Sequence, residues 1–109
     1  MSKELSSQKC APCEGGVEPL NREQAEKLLS QVSKNWHLED KKIYADFKFK
    51  NFKEAMSFAN RVGDIAEAEG HHPDILVGYG RVRVETWTHA IGGLSINDFI
   101  LASKIDELK

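Results

Sequence analysis

The chain has 109 residues, which is enough for one domain with a single hydrophobic core and too few for a second domain. Its 15 Lys and Arg residues nearly balance its 17 Asp and Glu residues, and the formal net charge is −2. This balance argues against binding to nucleic acid or to an anionic membrane, because both attract a positive surface. No apolar run resembles a signal peptide or a transmembrane helix, so we expect a cytoplasmic protein.

The first 19 residues differ in composition from the rest of the chain. They are polar, contain Pro12 and Pro19, and show no apolar period. This composition predicts a flexible N-terminal arm over 1–19, followed by a single domain over 20–109. Cys10 and Cys13 are too few for a disulfide framework and have no second pair of zinc ligands nearby, so we expect reduced thiols. A zinc site shared between subunits is the alternative.

The domain begins with a predicted helix over about 22–33. Asn21 can cap this helix with Gln24 at the third position, and apolar residues then recur at helical spacing, namely Ala25, Leu28, Leu29 and Val32. A polar turn over 39–42 and strict apolar alternation over 43–50 follow. They predict a β-hairpin with one buried face.

A second helix and a second hairpin follow in the same order. Asn51 and Glu54 signal the start of a helix of about four turns, and Gly70 is its natural end. The segment 74–89 predicts a hairpin with its turn at 78–80. Alternation along its second strand places Val82, Val84, Thr86 and Thr88 on one side and Arg83, Glu85, Trp87 and His89 on the other.

The last predicted element is a helix capped by Ser95, with Asp98 at the third position. The full order is therefore α-ββ-α-ββ-α. Successive hairpins favour an antiparallel sheet, and three amphipathic helices of this size most economically cover one of its faces. We predict an α+β fold, with a four-stranded antiparallel sheet and three helices packed on one face.

Three of the four histidines, His71, His72 and His89, lie near carboxylates in the sequence. Histidine exchanges protons near neutral pH, so such a cluster indicates proton transfer or a metal. Glu67 precedes His71 by four residues, a spacing that stacks two side chains if the helix persists past Gly70. A neighbouring carboxylate and the negative end of the helix would both favour a protonated His71.

A metal site is the less favoured of the two interpretations. The adjacent His71 and His72 chelate awkwardly, and the chain has no His-x-His or His-x-x-x-His pair. His89 is expected on the same sheet face as Trp87, whose indole could form the wall of a flat pocket. Asp98 has an ordinary role as the capping-box carboxylate of the last helix.

The spacing of these residues resembles the signature of the pterin-4a-carbinolamine dehydratase family. The pattern is Glu67, three residues, His71-His72-Pro73, five residues, Tyr79, nine residues, His89, eight residues and Asp98. The likeness covers about 20–109 and includes Trp36, the run 47–52, Gly93-Leu94-Ser95 and Leu101-Ala102-Ser103. The arm looks like that of bacterial and plant members. Two positions depart from the animal enzymes, which have an acidic residue in place of Gly70 and a Trp in place of Ile75.

The resemblance implies a dehydratase, a lyase that converts 4a-hydroxytetrahydropterin to quinonoid dihydropterin and water. It also implies a homodimer or homotetramer, a functional link to an aromatic amino acid hydroxylase, and no cofactor, because the pterin is the substrate. Carried onto this chain, the catalytic positions are His71, His72 and His89 with Glu67 in support, and the substrate would be bound by Gly70, Pro73, Trp87, Thr88, Ala90 and Asp98. One of His71 and His89 would act as acid and the other as base. A non-catalytic oligomeric binding or regulatory module on the same fold is the alternative.

Overall fold

A computed structural model describes residues 5–10 and 18–108, so Cys13 lies outside the described residues. In chain order it contains a 3-10 turn Leu5–Ser7, α1 Arg22–Leu29, β1 Trp36–Glu39, β2 Lys42–Lys48, α2 Phe52–Glu69, β3 Asp74–Gly78, β4 Arg81–Thr86, a 3-10 turn His89–Ile91 and α3 Ile96–Asp106. In the part of the chain that is described, no helix is long and apolar enough to cross a membrane.

The four strands form one antiparallel sheet in the order β1-β2-β4-β3. The central pair, β2 and β4, runs in register from Ile43 opposite Thr86 to Lys48 opposite Arg81. The second hairpin therefore docks with its second strand against the first hairpin. The predicted α+β fold with three helices on one face of the sheet is confirmed.

The core lies between the sheet and the helices. The inward residues of the two central strands are all buried, namely Ile43, Ala45, Phe47, Val82 and Val84. They pack with apolar side chains of the helices in one continuous cluster. Helix α3 is the most enclosed helix, because eight of its residues are buried, including the polar Asn97 and Asp98.

The capping signals are confirmed, whereas the predicted end of the first helix is wrong. Asn21 and Gln24 form the capping box of α1, and the Asn51 side chain accepts a hydrogen bond from the backbone of Glu54 at the start of α2. Helix α1 ends at Leu29 rather than near residue 33, because the following turns tighten to i→i+3 hydrogen bonds.

The expectation of a flexible arm over 1–19 is wrong for residues 5–10. Leu5 is only 5% exposed and belongs to the hydrophobic core. The carbonyl oxygen of Ser6 accepts a hydrogen bond of 2.9 Å from Nζ of Lys104 on α3. This segment therefore packs against the domain, and the part of the predicted arm at 11–17 lies outside the described residues.

Candidate active site

A cavity of about 210 Å³ lies between the end of α2 and the segment that follows β4. Its lining residues are Gly70, His71, His72, Trp87, Thr88, His89, Ala90 and Asn97. All of them except Asn97 are site residues predicted from the sequence. The other three predicted residues, Glu67, Pro73 and Asp98, are not part of its wall.

The end of α2 positions the first two histidines. Gly70 adopts the left-handed conformation with φ of 65° and caps the helix, a geometry that glycine reaches without steric cost. The backbone N–H of His71 then donates to the carbonyl of Ala66. After this turn the His71 side chain points inward and is 11% exposed, whereas that of His72 is 60% exposed.

The predicted contact between Glu67 and His71 is wrong. Glu67 lies 3.3 Å from Nε2 of His72, and both side chains are largely exposed. The reason is the left-handed turn at Gly70, which ends the helix before the i,i+4 stacking can form. An exposed pair of this kind contributes little to stability.

The buried side chain of Asp98 forms a hydrogen bond with His71. The Asp98 side chain is 0% exposed, and its Oδ1 atom lies 2.6 Å from Nε2 of His71 and 2.7 Å from the hydroxyl of Thr86. Its Oδ2 atom lies 2.9 Å from the hydroxyl of Thr88 and 3.0 Å from the backbone nitrogen of Ser95. Four polar contacts thus converge on one buried carboxyl group.

These contacts define which nitrogen of His71 carries a proton. The two threonine hydroxyls and the Ser95 N–H all donate to Asp98, and these three contacts match an ionised carboxyl group, whose two oxygens only accept. An ionised Asp98 can only accept, so in that state Nε2 of His71 donates the fourth hydrogen bond. The nitrogen that can exchange a proton with a ligand is therefore Nδ1.

The predicted capping role of Asp98 is confirmed, since Ser95 and Asp98 form the capping box of α3. The two oxygens of this carboxylate serve different segments, because Oδ2 binds the start of α3 and Oδ1 binds His71. Its full burial differs from the expectation that Asp98 contacts substrate directly. In the structure Asp98 contacts His71 and is not part of the cavity wall.

His89 reaches the cavity from a turn, and the prediction that it lies on the second hairpin is wrong. Strand β4 ends at Thr86, because Thr88 leaves the ladder to pair with Gly93 across a single bridge. His89 then begins a 3-10 turn. The predicted proximity to Trp87 is confirmed, with the two ring centroids 4.5 Å apart and the rings tilted by 48°.

Asn97 is the wall residue that sequence reasoning missed. It is 5% exposed and lies in the first turn of α3, directly before Asp98. The sequence signal that could have identified Asn97 is its position directly before the capping-box residue Asp98, because helix α3 begins at the cavity. A polar side chain buried at that point supplies hydrogen-bonding groups to the local network.

The part of the chain that the structure describes contains no candidate metal centre. Within residues 5–10 and 18–108, no group of three or more His, Cys, Asp or Glu side chains could hold a metal ion. Cys10 is a free thiol. The alternative of a zinc site shared between subunits would also involve Cys13, and it stays a prediction.

Comparisons with known proteins agree with one another. The family model for pterin 4 alpha carbinolamine dehydratase matches residues 18–108. The chain is 53% identical over 105 residues to a protein of Nitrosomonas eutropha named "Putative pterin-4-alpha-carbinolamine dehydratase", and the match covers 96% of this chain and 93% of the relative. A relative with the same name from Methylococcus capsulatus is 54% identical over 106 residues, which is 95% of this chain and 92% of that protein.

A solved structure shares the fold. The crystal structure of a transcriptional coactivator/pterin dehydratase from Brucella melitensis superposes with a TM-score of 0.77 at 29% sequence identity. The match covers 84% of this chain and 98% of that one.

Proposed function

Because the chain belongs to the pterin 4 alpha carbinolamine dehydratase family and is therefore a dehydratase, we propose that it converts 4a-hydroxytetrahydropterin to quinonoid dihydropterin and water. The observation that carries this proposal is a cavity with three imidazoles in its wall, one of which is held by a fully buried carboxylate. Such an arrangement suits a reaction that needs only proton transfers.

The chemistry requires one proton donor and one proton acceptor. The C4a–O bond breaks, and the hydroxyl leaves as water with a proton supplied by an acid. The N5–H proton passes to a base, while the electron pair of that bond forms the C4a=N5 double bond. Acid and base groups positioned in this way each contribute roughly 10²–10⁴ in rate.

We assign the base to His71. Its Nε2 donates to Asp98, so Nδ1 of the neutral ring is free to accept the N5 proton. The buried carboxylate at 2.6 Å then stabilises the imidazolium that forms. This is the role that a carboxylate has behind the histidine of a catalytic triad.

We assign the acid to His89. Its ring lies against the indole of Trp87, and an aromatic ring stabilises a neighbouring cation. His72 is exposed and paired with Glu67, so in this proposal it positions the substrate or exchanges roles with His89. The reaction is internally redox-neutral, and we propose that it needs no metal and no cofactor.

The shape of the cavity supports a flat ligand. Trp87 provides a planar apolar wall, whereas Gly70 and Ala90 leave space at the rim. A pterin is a flat bicycle with polar edges, and the volume of about 210 Å³ suits its ring system. The substituent of the substrate would then extend outside this cavity.

We also propose the assembly and the metabolic role that the resemblance implied. The protein would work as a homodimer or homotetramer and recycle the pterin cofactor of an aromatic amino acid hydroxylase. Supporting the assembly, Phe52 and Met56 lie one turn apart on α2 and both are exposed. Sedimentation velocity at micromolar protein would show a single species of two or four chains, and a monomer at all concentrations would contradict the assembly.

The experiment that tests the function is stopped-flow mixing of the purified protein with freshly generated 4a-carbinolamine. We expect the carbinolamine to decay faster than in buffer and in proportion to the protein concentration. Decay at the buffer rate would refute the dehydratase proposal. Association with a hydroxylase without any turnover would instead support the non-catalytic module on the same fold.

A further inference from the structure

The segment 5–10 crosses the junction between α2 and α3. Leu5 anchors it in the core, and the Ser6 carbonyl oxygen binds Nζ of Lys104. The same Nζ lies 3.6 Å from Oε2 of Glu69, which is the last residue of α2. We call this segment, residues 5–10, the N-terminal strap.

Cys10 makes two hydrogen bonds at the end of the strap. Its backbone N–H donates to Oε1 of Glu69 at 2.8 Å. Its Sγ lies 3.5 Å from the backbone carbonyl oxygen of Asn97, to which the thiol donates. Cys10 therefore bonds to the last residue of α2 and to the first turn of α3.

The two partners of Cys10 are close in the sequence to His71 and Asp98, which together form the proposed catalytic base. Glu69 precedes His71 by two residues, and Asn97 precedes Asp98 by one. The 2.6 Å bond between His71 and Asp98 depends on how the end of α2 sits against the start of α3. Cys10 is bonded to both of these segments at once.

The thiol of Cys10 remains protonated. Burial is the main factor that raises the pKa of Cys10 to about 12, and the charge and hydrogen bonding of Glu69 add to it. The group is therefore an S–H donor to Asn97 and not a thiolate nucleophile. This chemistry suits a lasting structural contact, which a thiolate facing a carbonyl oxygen could not provide.

We propose that Cys10 is a positioning residue for the dehydration, which fixes the end of α2 against the start of α3 and so fixes His71 on Asp98. This inference rests on the proposed function for its kinetic part. Small displacements of a catalytic group are costly, since about 1 Å of misplacement can reduce a rate by roughly 10². The strap would prevent shifts of His71 that are smaller than about 1 Å. We therefore expect its loss to lower turnover more than substrate binding.

The test compares Cys10→Ala with Cys10→Ser in the full chain, because serine retains a donor where alanine has none. Lys9→Ala is the matched control, since Lys9 is the exposed neighbour on the same segment. We expect Cys10→Ala to lower kcat about 5-fold with KM nearly unchanged, as for the loss of a weak hydrogen bond and a small shift. Cys10→Ser should recover most of that loss.

The second readout is the proton resonance of the His71 ring N–H that binds Asp98. We expect it to shift and broaden in Cys10→Ala and to stay in place in Lys9→Ala. Wild-type kcat in Cys10→Ala would overturn the proposal, as would a loss that serine does not restore. A reduced melting temperature with an unmoved His71 resonance would show a merely structural role and would also overturn it.

The two proposals fail in different ways. If the wild-type protein does not turn over the carbinolamine, the proposed function fails. The His71 resonance still reports on the strap in that case, because it needs no substrate. If wild-type turnover is normal and the His71 resonance is unchanged in Cys10→Ala, only the strap proposal fails.

Discussion

Replacing Asp98 with asparagine tests the assignment of the His71 proton most directly, because the two side chains have the same shape. The Ser95 N–H can only donate, so the amide oxygen of the introduced asparagine would take the Oδ2 position and its NH₂ group the Oδ1 position. There the NH₂ group would meet Nε2 of His71 and the Thr86 hydroxyl. Nε2 would then have to accept a hydrogen bond, and the ring proton would move to Nδ1.

The expected loss follows from the hydrogen bond that is changed. A hydrogen bond to a charged group contributes about 1.5–3 kcal/mol. Since about 1.4 kcal/mol corresponds to a factor of ten, Asp98→Asn should lower kcat/KM by about 10- to 150-fold. Stability should change by less than about 2 kcal/mol, because the packing is retained. Asp98→Ala should instead cost about 3–5 kcal/mol, since buried partners lose their acceptor.

The assay is stopped-flow carbinolamine decay, with urea unfolding of the same preparations. Asp64→Asn is the matched control, because Asp64 is an exposed carboxylate of α2 away from the cavity. A value of kcat/KM for Asp98→Asn within about twofold of wild type would refute the argument that Asp98 determines the proton position on His71.

Three further predictions concern other parts of the structure. His71→Ala and His89→Ala should each lower kcat/KM by at least about 10²-fold while circular dichroism stays native, whereas His37→Ala should not; equal losses in all three would contradict the site. Gly70→Ala should lower the free energy of unfolding by about 1 kcal/mol, because φ is 65° and only the backbone is strained. An unchanged urea midpoint would contradict this prediction. Since the native thiol of Cys10 holds its proton to about pH 12 and the unfolded thiol releases it near 9.0, the free energy of unfolding of wild type should fall above pH 9.0 more steeply than that of Cys10→Ser. Parallel curves would show that the thiol is not buried as described.

The sequence predicts those features whose signals lie within four residues of each other. The capping residues Asn21, Asn51 and Ser95 mark helix starts that the structure confirms, and Gly70 marks the end of α2. Strict alternation identifies the buried face of β2. These signals are local, because a cap binds the backbone of its own first turn.

Two of the errors concern contacts that do not follow a helical or strand period. Spacing pairs His71 with Glu67, but its partner Asp98 lies 27 residues away on α3. The single bridge from Thr88 to Gly93 ends β4 early, and alternation along the strand contains no sign of it. The first contact is tertiary and the second is a local turn, and a helical or strand period encodes neither of them.

The prediction for the strap fails for a related reason. A polar composition predicts disorder on average, yet the segment 5–10 buries Leu5 and forms hydrogen bonds with Lys104, Glu69 and Asn97. Leu5 belongs to the hydrophobic core, and Cys10 packs against it. Composition averages over the segment and therefore cannot detect these individual contacts.

Asp98 both caps α3 and binds His71, so a substitution meant to stabilise α3 would also affect the proposed active site. Helix starts are among the first places where a protein is stabilised by substitution, and Ser95 with Asp98 would be an obvious target on α3. Here any change at that start also alters the environment of His71. Brief fraying of the first turn of α3 would likewise leave a folded molecule without an ordered base. Activity would then be lost on heating at a lower temperature than global melting, because the start of α3 and the position of His71 both depend on Asp98.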